Sequence, residues 1–450
     1  MTPDTRTAAD LGRAIGAGKL DPVALTQAFL DAIAAHPHAA RIYARLMPER
    51  AMTQARAAAQ RARAGQRLGP LDGVPISWKD LFDTAGTATE GGTRLLTGRV
   101  PDRDADVVAQ ASAQGLIGLG KTHMTEIAYY GLGHNPMLQT PPNVHDPALL
   151  PGGSSSGAAV SVGFGLAAAA IGSDTGGSVR LPAAWNDLVG LKTTHGRLSM
   201  TGVLPLSDSF DTIGPLCRSV EDAGLLLAAL GGTPAPLPQD GTLRGKRFAI
   251  LTTVAMQECR DIPGAAFEDC ITRLSEAGAI IDRLRVPEVA EALDLSTRIV
   301  TPEANSHWLA LMDAAPDRVY PAIHARLRAG ADELATDYLA AWARLREIRR
   351  IWHRATADHA AILMPTSAIL PPDAARILTD PAYLARETPP SSRNSRITNL
   401  MGGCAITLPT ARTYCGITLV APPMAEDRLL HLAGLVEAQI RQGRAAALPT

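Results

Sequence analysis

The stretch "GSDTGGSVRLPAAW", Gly172–Trp185, combines two serines, an aspartate and a Gly-Gly pair in one short segment. Consecutive glycines let the backbone approach a bound group closely. Backbone amides of neighbouring residues then converge on one oxyanion, here those of Thr175, Gly176, Gly177 and Ser178. The pattern predicts a loop that binds an oxyanion and presents Ser178 as a nucleophile. The alternative is a glycine turn that only connects two elements.

The segment "PGGSSSGAAVS", Pro151–Ser161, is a second stretch rich in glycine and serine. It matches G-x-S-x-G around Ser155, the nucleophile elbow of α/β-hydrolases, but an elbow follows directly on a strand. The preceding "NVHDPALLPGG" contains two prolines instead. A phosphate loop would continue with Gly-Lys-Ser/Thr, which does not follow these glycines. The segment therefore predicts a rigid loop that presents hydroxyl groups at the start of a buried helix, expected over Gly157–Ala170.

Lys79 supplies the base that a serine nucleophile needs. It ends "VPISWK", where Val74, Ile76 and Trp78 alternate with the other residues at the period of a strand. A lysine in such apolar surroundings is expected to be partly buried, and burial lowers the pKa of an amine. Lys79 is then available as a neutral base near pH 7. The alternative is a lysine at a strand end that extends its amine into water.

Composition excludes several classes of function. The chain has 450 residues, 46% hydrophobic and 19% charged, with a net charge of −1. This balance offers no electrostatic surface for nucleic acid or an anionic membrane. The five cysteines form no CxxC pair and the eleven histidines no HExxH motif, so we expect neither a metal nor an organic cofactor. Without an apolar leader or spanning segment, the protein is expected in the cytoplasm.

Helices and strands alternate on both sides of a segment rich in proline and glycine, which predicts an α/β fold with a large sheet wrapped in helices. We expect one domain over residues 1–450. Its parts are a helical segment over about 1–65, a core over about 66–230, a linker over about 231–245 and a second half over about 246–450. A mostly helical region over about 301–360 is expected to cover the substrate.

Three segments, in this order, resemble motifs of the amidase signature family of serine hydrolases: "GVPISWKD", "PGGSSSGAAV" and "GSDTGGSVRLPAAWNDLVGLKTTHGR". Weaker matches continue through "DSFDTIGPLCRSVEDA", "ILMPTSAILPP", "RITNLMGGCAITLPT" and "GITLVAPPMAEDRLL", so the resemblance covers roughly Thr5–Ile440. It implies the amidase-signature fold, a large mixed and twisted sheet covered by helices on both faces.

The resemblance also implies a Ser-cisSer-Lys triad. In it, Ser178 is the nucleophile, Ser154 is the bridging serine after a cis peptide bond, and Lys79 is the base. Lys79 draws a proton from Ser178 through Ser154, and an acyl-enzyme forms and is hydrolysed. Ser155, Asp174 and Arg180 match positions that support these loops.

One further segment bears on the choice of substrate. "GKTHMTEIAYYGLGHNP" corresponds to a family segment beside the substrate channel, so Met124, Tyr129 and Tyr130 are expected to line an apolar pocket, with a core role as the alternative. The expected activity is hydrolysis of small neutral, apolar or aryl amides, with carbamates (urethanes) and esters as further candidates. The expected assembly is a homodimer.

Two alternatives remain open. The family includes one component of glutamyl-tRNA amidotransferase, its A subunit, which typically carries a Gly-Tyr-Tyr-Asp-Ala-Tyr-Tyr-like run where this chain has "ATDYLAAWARLREIRR". An arginine usually precedes "PGGSS", and here the residues are "ALL". These differences favour a free-standing amidohydrolase over the amidotransferase component. The second alternative is a non-catalytic binding subunit of a hydrolase complex.

Overall fold

The structure is a computed structural model that describes residues 5–231 and 241–447, with side chains to Arg441. The linker expected over 231–245 lies largely outside the described residues. In the described ranges, no helix is long and apolar enough to cross a bilayer.

Helices and strands alternate along the described chain. The α-helices are α1 (Ala8–Gly16), α2 (Pro22–Ala35), α3 (Ala39–Ile42), α4 (Pro48–Arg63), α5 (Asp106–Ala113), α6 (Ser156–Gly163), α7 (Arg180–Trp185), α8 (Val220–Gly231), α9 (Asp261–Glu276), α10 (Glu288–Ala314), α11 (Pro321–Ala329), α12 (Ala335–Thr356), α13 (Ala374–Thr379), α14 (Pro381–Met401) and α15 (Glu426–Ala447). The strands are β1 (Tyr43–Leu46), β2 (Pro75–Lys79), β3 (Ile117–Thr122), β4 (Ala169–Ser173), β5 (Val189–Lys192), β6 (Ile213–Cys217), β7 (Arg247–Leu251), β8 (Ile280–Leu284), β9 (Ala361–Pro365), β10 (Cys404–Pro409) and β11 (Gly416–Ala421). Four short 3-10 helices complete these elements.

The strands form one sheet of 11 strands in the order β1-β3-β2-β4-β6-β5-β10-β11-β9-β7-β8. Strand β2 lies parallel to β3 and β4, and β7 lies parallel to β8 and β9. The strands between these two groups pair in antiparallel fashion. The sheet is therefore mixed, as expected for the amidase-signature fold.

Helices cover both faces of the sheet. Every residue of β2, β3, β4, β5 and β6 is buried. Successive side chains of a strand point to opposite faces, so complete burial requires cover on both sides. Helix α6 packs on β2 and β4, while α15 packs on β10 and β11. This arrangement confirms the predicted α/β class.

Local sequence explains where individual elements begin and end. Asp21 accepts hydrogen bonds from the Val23 and Ala24 amides and so caps α2 at its start. The expected buried helix over Gly157–Ala170 is too long. Helix α6 ends at Gly163, and a turn leads into β4. The run of small apolar residues fits a buried helix and a buried strand equally well, so periodicity alone did not separate them.

The parallel pairing of β2 with β4 brings two distant segments to one edge of the sheet. Trp78 lies opposite Ile171 in the register. Lys79 ends β2 and Ser173 ends β4, and carboxyl ends of parallel strands meet at the same edge. The residues that follow β4, beginning with Asp174, therefore continue next to Lys79.

Candidate active site

Lys79 is fully buried, with 0% of its surface exposed. Its Nζ donates hydrogen bonds to Ser154 Oγ at 2.8 Å and to Ser173 Oγ at 2.8 Å. Burial lowers the pKa of Lys79 to about 7, although the negative charges of Asp211 and Asp174 act to raise it. A substantial fraction of this amine is therefore neutral at neutral pH.

The serine loop holds Ser154 against Lys79. The peptide bond between Gly153 and Ser154 is cis, in agreement with the expected geometry. Gly153 N donates to the Gly131 carbonyl at 2.7 Å, and Ser154 O accepts from Thr125 N at 3.2 Å. These contacts bind the loop to the segment after β3, and α6 starts two residues after Ser154.

Ser155 has a supporting position. Its Oγ donates to the Ser173 carbonyl at 3.2 Å, and its amide donates to the Ser178 carbonyl at 3.2 Å. Among the described residues, the element before this loop is a 3-10 helix over Glu126–Ala128, not the strand that a nucleophile elbow requires. The geometry therefore disfavours Ser155 as an elbow nucleophile.

The Asp174 carboxylate organises the loop that carries Ser178. It accepts from Gly177 N at 2.8 Å and from Val179 N at 3.2 Å, and Arg180 forms two contacts with it at 3.0 Å. Burial acts to raise the pKa of Asp174, but the Arg180 charge and hydrogen bonds outweigh burial and hold that pKa well below its usual range. Asp174 is thus a buried anion with a complete set of partners.

Gly177 is required by both its conformation and its surroundings. Its φ is 118°, in a region that side chains disfavour, and a Cβ atom there would lie 1.9 Å from Ser395 Oγ. Ser395 belongs to α14 and donates to the Gly176 carbonyl at 3.2 Å. The loop therefore packs directly on this helix.

The four expected oxyanion donors are not equivalent. The Gly177 amide already donates to Asp174. Within the described residues, the amides of Thr175, Gly176 and Ser178 have no hydrogen-bond acceptor. Three backbone amides are therefore available to donate to a ligand. The prediction that Gly177 is an oxyanion donor is wrong, because its N–H already donates to the Asp174 carboxylate.

Ser178 lines a cleft with a cavity volume of about 90 Å³. The residue is 6% exposed, and in the described part of the chain its hydroxyl forms no hydrogen bond. The hydrogen bonds of Lys79 reach Ser154 and Ser173 rather than Ser178. The Ser155–Ser178 backbone contact nevertheless brings the serine loop and the nucleophile loop together.

Tyr129 and Tyr130 line the cleft as expected, whereas Met124 does not. Met124 is 1% exposed within the hydrophobic core. Its carbonyl accepts from Asn135 Nδ2, and its Cγ lies 3.0 Å from where a Cβ on Gly92 would be. Met124 packs inward because the backbone turns between β3 and the tyrosines, and that turn is not visible in the sequence pattern.

Several residues of the site were not predicted from the sequence. Ser173 contacts Lys79, yet it precedes Asp174 without any pattern of its own. Leu206 and Phe210 line the cleft from the chain between β5 and β6. Further lining side chains come from distant helices: Ser296, Thr297, Val300, Thr301, Arg326, Thr388, Ser392, Arg396, Asn399 and Leu400. Arg396 and Asn399 belong to "RITNL", part of a weaker family match, but nothing in that pattern indicates that they line the cleft. In the described ranges, no group of three or more His, Cys, Asp or Glu side chains is arranged to hold a metal ion.

The chain belongs to the amidase (amidase signature) family, because the family model described as Amidase matches residues 24–430. It is therefore an amidase-family hydrolase that acts on carbon–nitrogen bonds, and the resemblance inferred from its motifs is confirmed.

Individual relatives cover most of the chain. A 2-amino-5-chloromuconic acid deaminase of Comamonas testosteroni is 37% identical over 85% of this chain and 84% of its own length. The A subunit of the glutamyl-tRNA(Gln) amidotransferase of Acidothermus cellulolyticus is 31% identical over 97% of this chain and 95% of its own length. The crystal structure of a peptide amidase from Stenotrophomonas maltophilia superposes with a TM-score of 0.81 at 28% identity, over 97% of both chains.

Proposed function

We propose that this protein hydrolyses small linear amides, with Ser178 as nucleophile, Ser154 as proton relay and Lys79 as base. The observation that carries the proposal is the buried hydrogen bond of 2.8 Å between Lys79 Nζ and Ser154 Oγ, beside a cleft that Ser178 lines. A buried amine with a pKa of about 7 is suited to accept a proton at neutral pH. A lysine that served only as a surface charge would not be held in this position.

In the first step, Ser178 Oγ forms a bond to the amide carbonyl carbon. Its proton passes to Ser154 Oγ, whose own proton passes to Lys79 Nζ. The carbonyl oxygen gains the electron pair of the C=O π bond and accepts hydrogen bonds from the free amides of Thr175, Gly176 and Ser178. Gly177 contributes indirectly, since its bond to Asp174 keeps the loop in position.

In the second step, the C–N bond breaks and the leaving nitrogen receives the proton from Lys79 through Ser154. The product is an acyl-enzyme on Ser178. Water then attacks this ester and gives a proton to the same relay, which returns it to Ser178 Oγ as the acid leaves. One water is consumed for each amide cleaved.

The acyl group is expected to contain an apolar or aryl portion. Leu206, Phe210, Val300 and Leu400 line one part of the cleft and offer it an apolar surface. Carbamates (urethanes) and esters present the same electrophilic carbonyl and remain candidate substrates. The Comamonas testosteroni relative is named as the deaminase of an acid. The cleft of this protein also contains two positively charged residues, Arg326 and Arg396.

A serine-directed fluorophosphonate tests the nucleophile. We expect the native protein to be labelled, mass spectrometry to locate the adduct on Ser178, and the Ser178→Ala variant to remain unlabelled. Release of ammonia or amine from amides, anilides, carbamates and esters, measured for the same two proteins, tests the reaction. An adduct on Ser155 would support the elbow hypothesis instead. No labelling and no hydrolysis by the native protein would support the non-catalytic binding role.

The amidotransferase component remains a second candidate because the Acidothermus cellulolyticus relative is similar over nearly the whole chain. Glutaminase activity of this protein, measured alone and with amidotransferase partner proteins, separates the two functions. Glutamine turnover that requires the partners, without hydrolysis of any simple amide, would replace the proposed function.

A further inference from the structure

The cleft beside Ser178 contains two arginines, the half-buried Arg396 and the exposed Arg326. Among the described residues that line it, none is an aspartate or a glutamate. The wall therefore carries two positive charges without a compensating negative charge. A charged group that loses part of its water is costly when it lacks a counter-charge, so a bound anion would stabilise Arg396 in particular.

Arg396 lies next to the loop that carries the free amides. A Cβ atom on Gly176 would be 3.7 Å from Arg396 Nε. Its NH2 group has only a long contact of 3.4 Å to Ser392 Oγ, and in the described part of the protein no carboxylate forms an ion pair with it. Burial lowers the pKa of Arg396, and the charge of Arg326 lowers it further. Both guanidinium groups line the same cleft, so their positive charges repel each other.

Arg326 approaches the cleft from α11, on the side of the tyrosines. Its guanidinium carbon lies 5.5 Å from the centre of the Tyr129 ring and 5.8 Å from that of Tyr130. Stacking on these rings orients the group. Over the described ranges, Arg326 has no carboxylate partner either.

Neighbouring arginines on the same two helices are paired. On α14, Arg393 lies 3.6 Å from Glu258, and on α11, Arg328 lies 3.0 Å from Asp313. The chain thus provides counter-charges outside the cleft and none within it. This contrast separates Arg326 and Arg396 from ordinary surface arginines.

We propose that Arg396 and Arg326 together bind a carboxylate group of the substrate. The inference rests on the proposed function and names the class of its substrate: small amides that also carry a carboxylate, such as monoamides of dicarboxylic acids. Because Arg396 touches the loop that holds the amide oxygen, the carboxylate lies within a few bonds of the carbonyl that is cleaved. A planar guanidinium matches a carboxylate with two parallel hydrogen bonds. The inference adds a carboxylate to the apolar or aryl amide proposed above.

Binding to the Ser178→Ala protein, measured by calorimetry, tests the inference without turnover. The ligands are the monoamides of malonic, succinic, glutaric, adipic and terephthalic acid. Each is compared with the neutral amide in which an isopropyl group replaces the carboxylate. At least one acid is expected to bind about tenfold or more tighter than its neutral partner, a preference that weakens at high salt.

Variants on the Ser178→Ala background locate the interaction. Arg396→Gln and Arg326→Gln are each expected to reduce the acid-to-neutral preference about tenfold to a hundredfold, with Arg396→Lys retaining part of it. Arg393→Gln and Arg328→Gln remove a positive charge from the same helices outside the cleft, and the preference should be unchanged in both.

The outcomes distinguish this inference from the proposed function. If no acid in the series binds better than its neutral partner, the carboxylate site is wrong, whether or not the native protein hydrolyses amides. If the acids are preferred but the native protein cleaves none of them, the site stands and the proposed function fails. Equal binding of inorganic phosphate and of the preferred acid would indicate a general anion site and overturn the carboxylate assignment.

Discussion

At the scale of single residues, the site depends on the protonation state of the Lys79 amine. Burial removes water from Lys79 and favours its neutral form, while Asp211 and Asp174 favour its charged form. Asp174 is largely neutralised by Arg180, so its effect on Lys79 is reduced. The balance leaves a pKa near neutrality, where an amine both accepts and returns a proton readily.

Replacement of Lys79 by methionine tests this balance. We expect kcat/KM of the native enzyme to rise with pH through about 7, because only the deprotonated amine accepts a proton. Lys79→Met should lower kcat/KM about a hundredfold to ten-thousandfold and abolish that limb of the pH profile. Circular dichroism and the thermal midpoint control for folding. A variant that kept the native pH limb would show that another group is the base.

At the scale of elements, α14 supports the nucleophile loop from behind. Asn399 Nδ2 donates to the Asp174 carboxylate at 2.9 Å, and Asn399 Oδ1 accepts from Arg180 at 2.6 Å. Ser395 contacts Gly176, one turn earlier on the same helix. A helix from the end of the chain therefore completes a loop that the sequence encodes much earlier.

Gly177→Ala tests the fit between the loop and α14. The new methyl group would meet Ser395 Oγ, and φ would stay unfavourable, so we expect a loss of about 2–4 kcal/mol of unfolding free energy and slower turnover. Gly196→Ala is the matched control, since Gly196 also has a positive φ but no atom within 4 Å of the added Cβ. That variant should lose only about 1 kcal/mol. Denaturant unfolding measures both, and equal losses would refute the steric argument.

At the scale of the whole molecule, one mixed sheet gathers segments that are distant in the chain. Lys79 lies at the end of β2 and Ser173 at the end of β4, and α10, α11 and α14 from the second half line the cleft. The same packing buries groups that play no part in the site. His134 is one of them: it is 2% exposed and lies beside the rings of Tyr130 and Tyr320.

Burial of His134 predicts a dependence of global stability on pH. Burial lowers its pKa to about 4, so below its ordinary pKa the unfolded chain binds a proton that the folded protein does not. Acidification through this window therefore favours unfolding, by up to about 3 kcal/mol for one such group. In His134→Phe and His134→Gln, the fall in thermal midpoint between about pH 7 and about pH 5 should be smaller than in the native protein. A fall of the same size in both variants would contradict the assignment.

Much of the fold was predictable because its signals are local. The alternation in "VPISWK" identified β2, and the mostly helical region expected over about 301–360 corresponds to the end of α10 and to α11 and α12. The mixed sheet was inferred from family motifs rather than from periodicity. Strands β5, β6 and β10 were not recognised individually, because short buried runs lack the alternation of a half-exposed strand.

The sequence alone determined the family, the α/β class and the candidate groups Lys79, Ser154 and Ser178, because each lies in a motif that is continuous along the chain. Only the tertiary structure decided which groups meet. In the folded protein, Ser173 contacts Lys79, and the Gly177 amide donates to Asp174. Met124 lies in the core, and Arg326 and Arg396 line the same cleft. The physical reason is that burial, pairing of charges and cleft shape depend on contacts between distant segments, which no local pattern records.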